Sequence, residues 1–231
     1  MVTALRAFLR HPADHLAADT SLRTCVRVLL ILLVVDLGAT MLLGGVIGLI
    51  SESGLVDMEN HAAENFVSDT PGWQLYLLAG LIVPFVEELI FRLPLRYQTN
   101  PVVGVARLLT PATTPDVDAA LAADRRASWD RHFPKVFYAL TLLFAFVHLS
   151  NYPDWSTALL LVSPLLVAPQ FVMGCIAGFL RVRYGFVWAF LLHALHNALL
   201  ISVALLAPDE VPEVAPDPEL LEGMLLLIPL L

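Results

Sequence analysis

Cysteine is scarce: Cys25 and Cys175 are the two in 231 residues. Both fall at or inside apolar stretches, and their spacing fits neither a zinc nor a disulfide framework. They read as small buried residues. A G-x-S-x-G elbow and an H-E-x-x-H run are both absent, which removes two well-known nucleophile and metal signatures. Internal repeats and low-complexity tracts are lacking too. The first 24 residues carry Arg6, Arg10 and Arg23 but no short apolar core ending in a small-residue cleavage site, so a removable leader is not expected. Lysine occurs once, at Lys135, against 12 arginines, and several whole loops hold no basic residue at all.

What the chain has is apolar length. It is 58% hydrophobic, against about 45–50% for a soluble domain, with a mean hydropathy of +0.76. A spanning helix needs about 20 mostly apolar residues. Five segments qualify: Val26 to Ile50, Trp73 to about Leu95, Pro134 to about Leu149, Thr157 to Leu180, and Phe186 to Ala207. The expected fold is all-α, a polytopic transmembrane helical bundle of about five spanning helices plus short interfacial helices. One membrane domain, 1–231, accounts for the length. Met224 to Leu231 is too short to span and is expected at the interface or against the bundle.

The net charge of −8 hides a segregation of sign. All 13 basic residues precede or open the first span, fall from the end of the second span to the start of the third, or lie between the fourth and fifth. The alternate segments, Ser51 to Gly72, Ser150 to Ser156 and Pro208 to Gly223, hold none. The positive-inside rule therefore places the N-terminus in the cytoplasm. The long polar stretch at about 99–133 becomes a cytoplasmic loop, interrupted by Pro111 and Pro115, with a short surface helix expected over Ala119 to Trp129. Trp73, Tyr76, Trp155 and Trp188 lie near span ends, as an aromatic belt would place them.

Two adjacent glutamates inside the second span carry the most information. An acid in hydrocarbon is costly and marks a site by default. Glu87 and Glu88 point about 100° apart on a helix, so they are expected to meet different surroundings. Glu88 and Arg92 stand at i and i+4, the spacing of an ion pair. Glu87 is left without a partner in its own helix, just after Pro84, whose missing N–H can kink the helix and admit water. In the third span Phe144 and His148 share a face at i, i+4. In the fifth, His193 and Asn197 do so, with His196 a rival to His193. Asp36 is a further acid in the first span, with no second aspartate to form a dyad.

A carboxylate, histidines and an amide suit hydrolysis by an activated water. Glu87 would be the general base and His148 would hold the water. His193 and Asn197 would donate to the developing oxyanion.

The E-E-x-x-x-R of Glu87 to Arg92, the F-x-x-x-H of Phe144 to His148 and the H-x-x-x-N of His193 to Asn197 occur in that order, each in its own apolar segment. Together they resemble the three signature motifs of the CAAX protease and bacteriocin-processing (CPBP) intramembrane proteases, which include type II CAAX prenyl endopeptidases and Abi proteins. The likeness covers about 73–206. It implies the same roles: Glu87 as catalytic glutamate with His148, His193 and Asn197 at the oxyanion, Glu88 and Arg92 in support. It implies a water activated by glutamate with no cofactor. Zinc is the alternative, held by Glu87, His148 and His193 with one position open. The chain is at the small end of that family, and no prenylated substrate is indicated by its residues.

The expected partners are a membrane peptide or protein substrate and the lipid bilayer, with no nucleic acid. The dominance of arginine over lysine fits a prokaryotic inner membrane. Two other classes compete with an endopeptidase: a non-catalytic immunity or scaffold protein, and a proton-coupled transporter with buried Glu and His relays. The transporter is weakened by the lack of two matched halves with broken helices.

Overall fold

A computed structural model describes residues 1–52, 54, 66, 70–110, 114–152 and 155–206. Among these, all regular structure is helical. Helix α1 (Val2–Arg10) precedes α2 (Leu22–Glu52). Helix α3 (Gly72–Leu77) runs through a π turn (Leu78–Ile82) into α4 (Val83–Phe91), closed by a 3-10 turn at Leu93–Leu95. Next come α5 (Pro101–Leu109), α6 (Pro115–Val147) with a 3-10 turn at His148–Asn151, α7 (Thr157–Leu166), α8 (Ala168–Arg183) and α9 (Phe186–Leu206).

Five stretches are long and apolar enough to cross a membrane: Leu22–Glu52, Gly72–Leu95, Pro115–Asn151, Thr157–Arg183 and Phe186–Leu206. They are the five expected from the sequence. Their outer faces carry large exposed apolar side chains, such as Leu30, Val34, Leu42 and Leu49 on α2. A surface of that kind calls for hydrocarbon rather than water around it. This is an integral membrane protein. The acidic stretch before Trp73 lies largely outside the described residues, as do Pro208 to Gly223 and the terminal Met224 to Leu231.

The core forms around α8. Its residues from Met173 to Val182 are buried without a break, as befits a helix apolar all round and packed on every side. Helices α1, α2, α6 and α9 pack against it. Two glycines one turn apart let α6 come close. A methyl on Gly178 would stand 2.7 Å from the Phe137 ring, and one on Gly174 would stand 3.1 Å from Thr141, 3.2 Å from Phe144 and 3.3 Å from Arg92. Small residues at this spacing are the usual way for membrane helices to approach. A tight turn then joins α8 to α9. Tyr184 and Gly185 both donate backbone N–H groups to the Leu180 carbonyl. Gly185 has φ of 113°, a conformation that side chains rarely tolerate.

The third span departs from expectation. The helix does not start at Pro134; α6 runs through it, and the short surface helix expected over Ala119 to Trp129 is part of the same rod. An internal proline costs about 3 kcal/mol. Burial on both sides of it outweighs that here: Trp129, Phe133, Phe137 and Thr141 form an i, i+4 stripe along the core face. The polar stretch at about 99–133 is therefore mostly helical, comprising α5 and the first half of α6. Helix α1 was not anticipated. Phe8 sets its ring edge-on to Phe137 at 5.2 Å and Phe179 at 5.3 Å, and the Tyr138 hydroxyl donates to the Leu9 carbonyl. Buried Asp14 ties the following strap down. It meets Arg96 at 2.7 Å and accepts from the Trp129 indole at 2.9 Å and the Tyr97 N–H at 2.8 Å.

The close approach of α6 and α8 makes a stability prediction. Gly178→Val overpacks the contact with Phe137 and should cost about 1–3 kcal/mol, read as a lower unfolding temperature in detergent. Gly44→Ala is the control, since a methyl there meets nothing within 4 Å and should cause no loss.

Candidate active site

The second span is not a plain α-helix. In its π turn the Val83 N–H bonds the Leu78 carbonyl, five residues back. In that register the next donor, for the Ala79 carbonyl, would be residue 84. Pro84 has no N–H. The orphaned carbonyl is met from another helix: the Asn197 side-chain N–H donates to it at 2.8 Å. Proline and asparagine thus share one cause, and the π turn widens the helix just before the two glutamates.

Glu88 is fully buried and Glu87 nearly so. Arg92 lies one turn on from Glu88, with Nε 3.6 Å from Oε1, as the i, i+4 spacing requires. Its guanidinium stacks 3.8 Å over the Phe144 ring. The end of α4 is held by buried Arg181 of α8, which donates from Nε to the Arg92 carbonyl at 2.9 Å and from Nη2 to the Leu93 carbonyl at 3.1 Å. The sequence shows Arg181 only as one more basic residue beside a loop.

Both carboxylates converge on His193. Glu88 Oε1 lies 3.1 Å from Nδ1, and Glu87 Oε2 lies 3.4 Å from Nε2. Glu87 and Glu88 do meet different surroundings, Glu87 the cavity and His148 and Glu88 the Arg92 guanidinium, but they share His193. Neighbouring side chains do diverge on the helix, but an imidazole has a nitrogen at each end and spans them both. His148 reaches the other oxygen of Glu87, with Nε2 3.9 Å from Oε1. Its Nδ1 lies 2.8 Å from the Phe144 carbonyl. A carbonyl only accepts, so Nδ1 carries the hydrogen and the neutral ring turns the Nε2 lone pair toward Glu87. The Phe144 ring stands edge-on to both imidazoles, at 4.9 Å from His148 and 5.9 Å from His193.

Helix rotation gives His193 and His196 different partners. His193 faces the glutamates. His196 faces Asp36 on α2, with Nδ1 2.6 Å from Oδ2. All four groups singled out for chemistry, Glu87, His148, His193 and Asn197, line one cavity of about 280 Å³, with His196 and Thr40 also in its wall. Glu88 and Arg92 stand behind Glu87 and His193.

The zinc alternative fits less well. Among the described residues no three His, Cys, Asp or Glu side chains are grouped to hold a metal ion. Glu87, His148 and His193, as they stand, do not make a ligand set.

Residues 69–199 match the family described as Rce1-like type II CAAX prenyl endopeptidases. The chain belongs to this family. The match spans more than half of the protein, including all three motifs, and supports a CAAX-type endopeptidase in the membrane. Comparison with curated proteins and with solved structures finds no match.

The buried charges yield a second prediction. Removing Arg92 leaves Glu88 without its cation in a dry site, a loss of about 3–5 kcal/mol. Arg92→Leu should lower the unfolding temperature sharply. Arg92→Lys should recover only part, because an ammonium cannot lie flat on Phe144 as a guanidinium does.

Proposed function

We propose that the chain is an intramembrane endopeptidase that hydrolyses a peptide bond of a membrane-embedded or lipidated substrate, using a water activated by Glu87 and His148. The observation that carries this reading is the gap between Glu87 Oε1 and His148 Nε2. At 3.9 Å it is too long for a direct hydrogen bond and suits two groups that hold one water between them. Among the described residues, buried Glu87 Oε1 has no hydrogen-bond partner.

Glu87 takes a proton from that water, and the oxygen adds to the peptide carbonyl carbon. The negative charge that develops on the carbonyl oxygen is met by Asn197 and His193. The Asn197 amide has two N–H donors, one of which is used by Ala79. His193 is held at Nδ1 by Glu88 and turns Nε2 toward Glu87. Preorganised donors of this kind supply large rate factors in a site that excludes water. The cavity's location within the bundle favours a substrate that arrives through the membrane. No cofactor enters the scheme, and the partners are the peptide substrate and the bilayer.

The test compares peptide termini in membranes of a deletion host complemented with wild type or Glu87→Gln at matched protein level. New termini should appear with wild type only, the variant losing about 100-fold or more. Identical termini in both would favour the scaffold reading. Proton uptake by proteoliposomes would favour the transporter.

The orientation belongs to the same proposal: a prokaryotic inner membrane with the arginine-rich face in the cytoplasm. In intact cells a membrane-impermeant maleimide should label Glu52→Cys and leave Ala119→Cys unlabelled until the membrane is permeabilised. Labelling in the reverse order would overturn the assignment.

A further inference from the structure

His196 stands in the cavity wall with Asp36 as its partner on α2, and neither takes part in the steps above. Asp36 is fully buried on α2, in the hydrocarbon part of the first span. Its Oδ2 lies 2.6 Å from His196 Nδ1. An anionic carboxylate only accepts, so the histidine hydrogen sits on Nδ1 and Nε2 is the ring's remaining functional nitrogen. His196 lines the cavity that holds Glu87, His148, His193 and Asn197. The arrangement repeats that of His193, one turn away on the same helix, whose Nδ1 meets buried Glu88. A simple tie between α2 and α9 would need only neutral partners. Spending a carboxylate in the membrane is costly, and a carboxylate on Nδ1–H is the arrangement that fixes an imidazole's tautomer and stabilises the imidazolium it becomes.

We propose that His196, oriented by Asp36, carries the proton to the leaving amine. This rests on the hydrolytic reading of the cavity. Glu87 takes a proton from the attacking water as the new C–O bond forms. That proton passes to Nε2 of His196, making an imidazolium balanced by Asp36. His196 then gives it to the amide nitrogen as the C–N bond breaks. The water ends divided between the hydroxyl of the new acid and a hydrogen on the new amine, and both side chains return to their starting states. His196 is the group that meets the substrate; Asp36 is a positioning residue.

The test uses purified full-length protein and two synthetic peptides that span the terminus mapped in the membrane comparison, one with the natural amide and one with an ester at the scissile position. Asp36→Asn keeps a hydrogen-bond acceptor for Nδ1–H and removes the charge. It and His196→Gln should each lower kcat on the amide about 100-fold with KM unchanged. On the ester, whose leaving group needs little proton assistance, the deficit should shrink to less than about ten-fold. Equal losses on amide and ester, or a loss in KM alone, would mean a structural tie and would overturn the proposal. Full activity of His196→Gln would overturn it while leaving the hydrolytic reading intact. Wild-type protein that cleaves neither peptide overturns both. One readout needs no substrate and no variant: nitrogen NMR of labelled histidine should show His196 protonated at Nδ1, and an Nε2-protonated neutral ring would sink the proposal.

Discussion

A carboxylate removed from water must be met by charge or hydrogen bonds, and Glu88 is fully buried inside a membrane bundle. Much of the site follows from that demand. Arg92 approaches it from one turn along α4 and His193 from α9. Arg92 in turn needs a surface to lie on, which Phe144 of α6 provides. Phe144 then fixes His148, through its carbonyl and through its ring. Each of the three motifs places two residues one helical turn apart on the face that meets the site, and that four-residue spacing is repeated on three helices.

The close packing of α6 and α8 serves the same end. The Gly174 surface lies against Thr141, Phe144 and Arg92, so the glycine that lets the helices approach also forms the floor under the guanidinium. Stability and site geometry are held by the same few ångströms.

The spans were legible because hydrocarbon imposes length and apolarity, and the Glu88–Arg92 pairing because helical spacing is local. The three motifs were legible as a set, although the roles of their residues remain proposals. What escaped the sequence was set by rotation and distance. Which of His193 and His196 faces the glutamates depends on how α9 is turned. The partner of Asp36 is a histidine 160 residues away, so a search for a second aspartate could not find it. Pro134 read as a boundary because proline usually is one; the buried aromatic stripe of α6 across it decided otherwise. Pro84 was correctly a disturbance, but the outcome was a π turn with its free carbonyl met by Asn197, a contact across helices that no local rule supplies.

The pairing of Asp36 with His196 also has a history within each molecule. The chain is made from its N-terminus at about 5–20 residues per second. The first span therefore enters the bilayer many seconds before the fifth exists. During that interval its acid has no histidine to meet, at a cost of about 2.5–3.5 kcal/mol for a central aspartate. The rest of the segment is strongly apolar, with a mean hydropathy of 2.4 over its best window, which is enough to keep it inserted. The first span is thus built to tolerate a debt that its last neighbour settles, and assembly ends only when α9 docks. A chain cut short before Phe186 would hold the first four spans and still lack the partner for the buried acid of its first span.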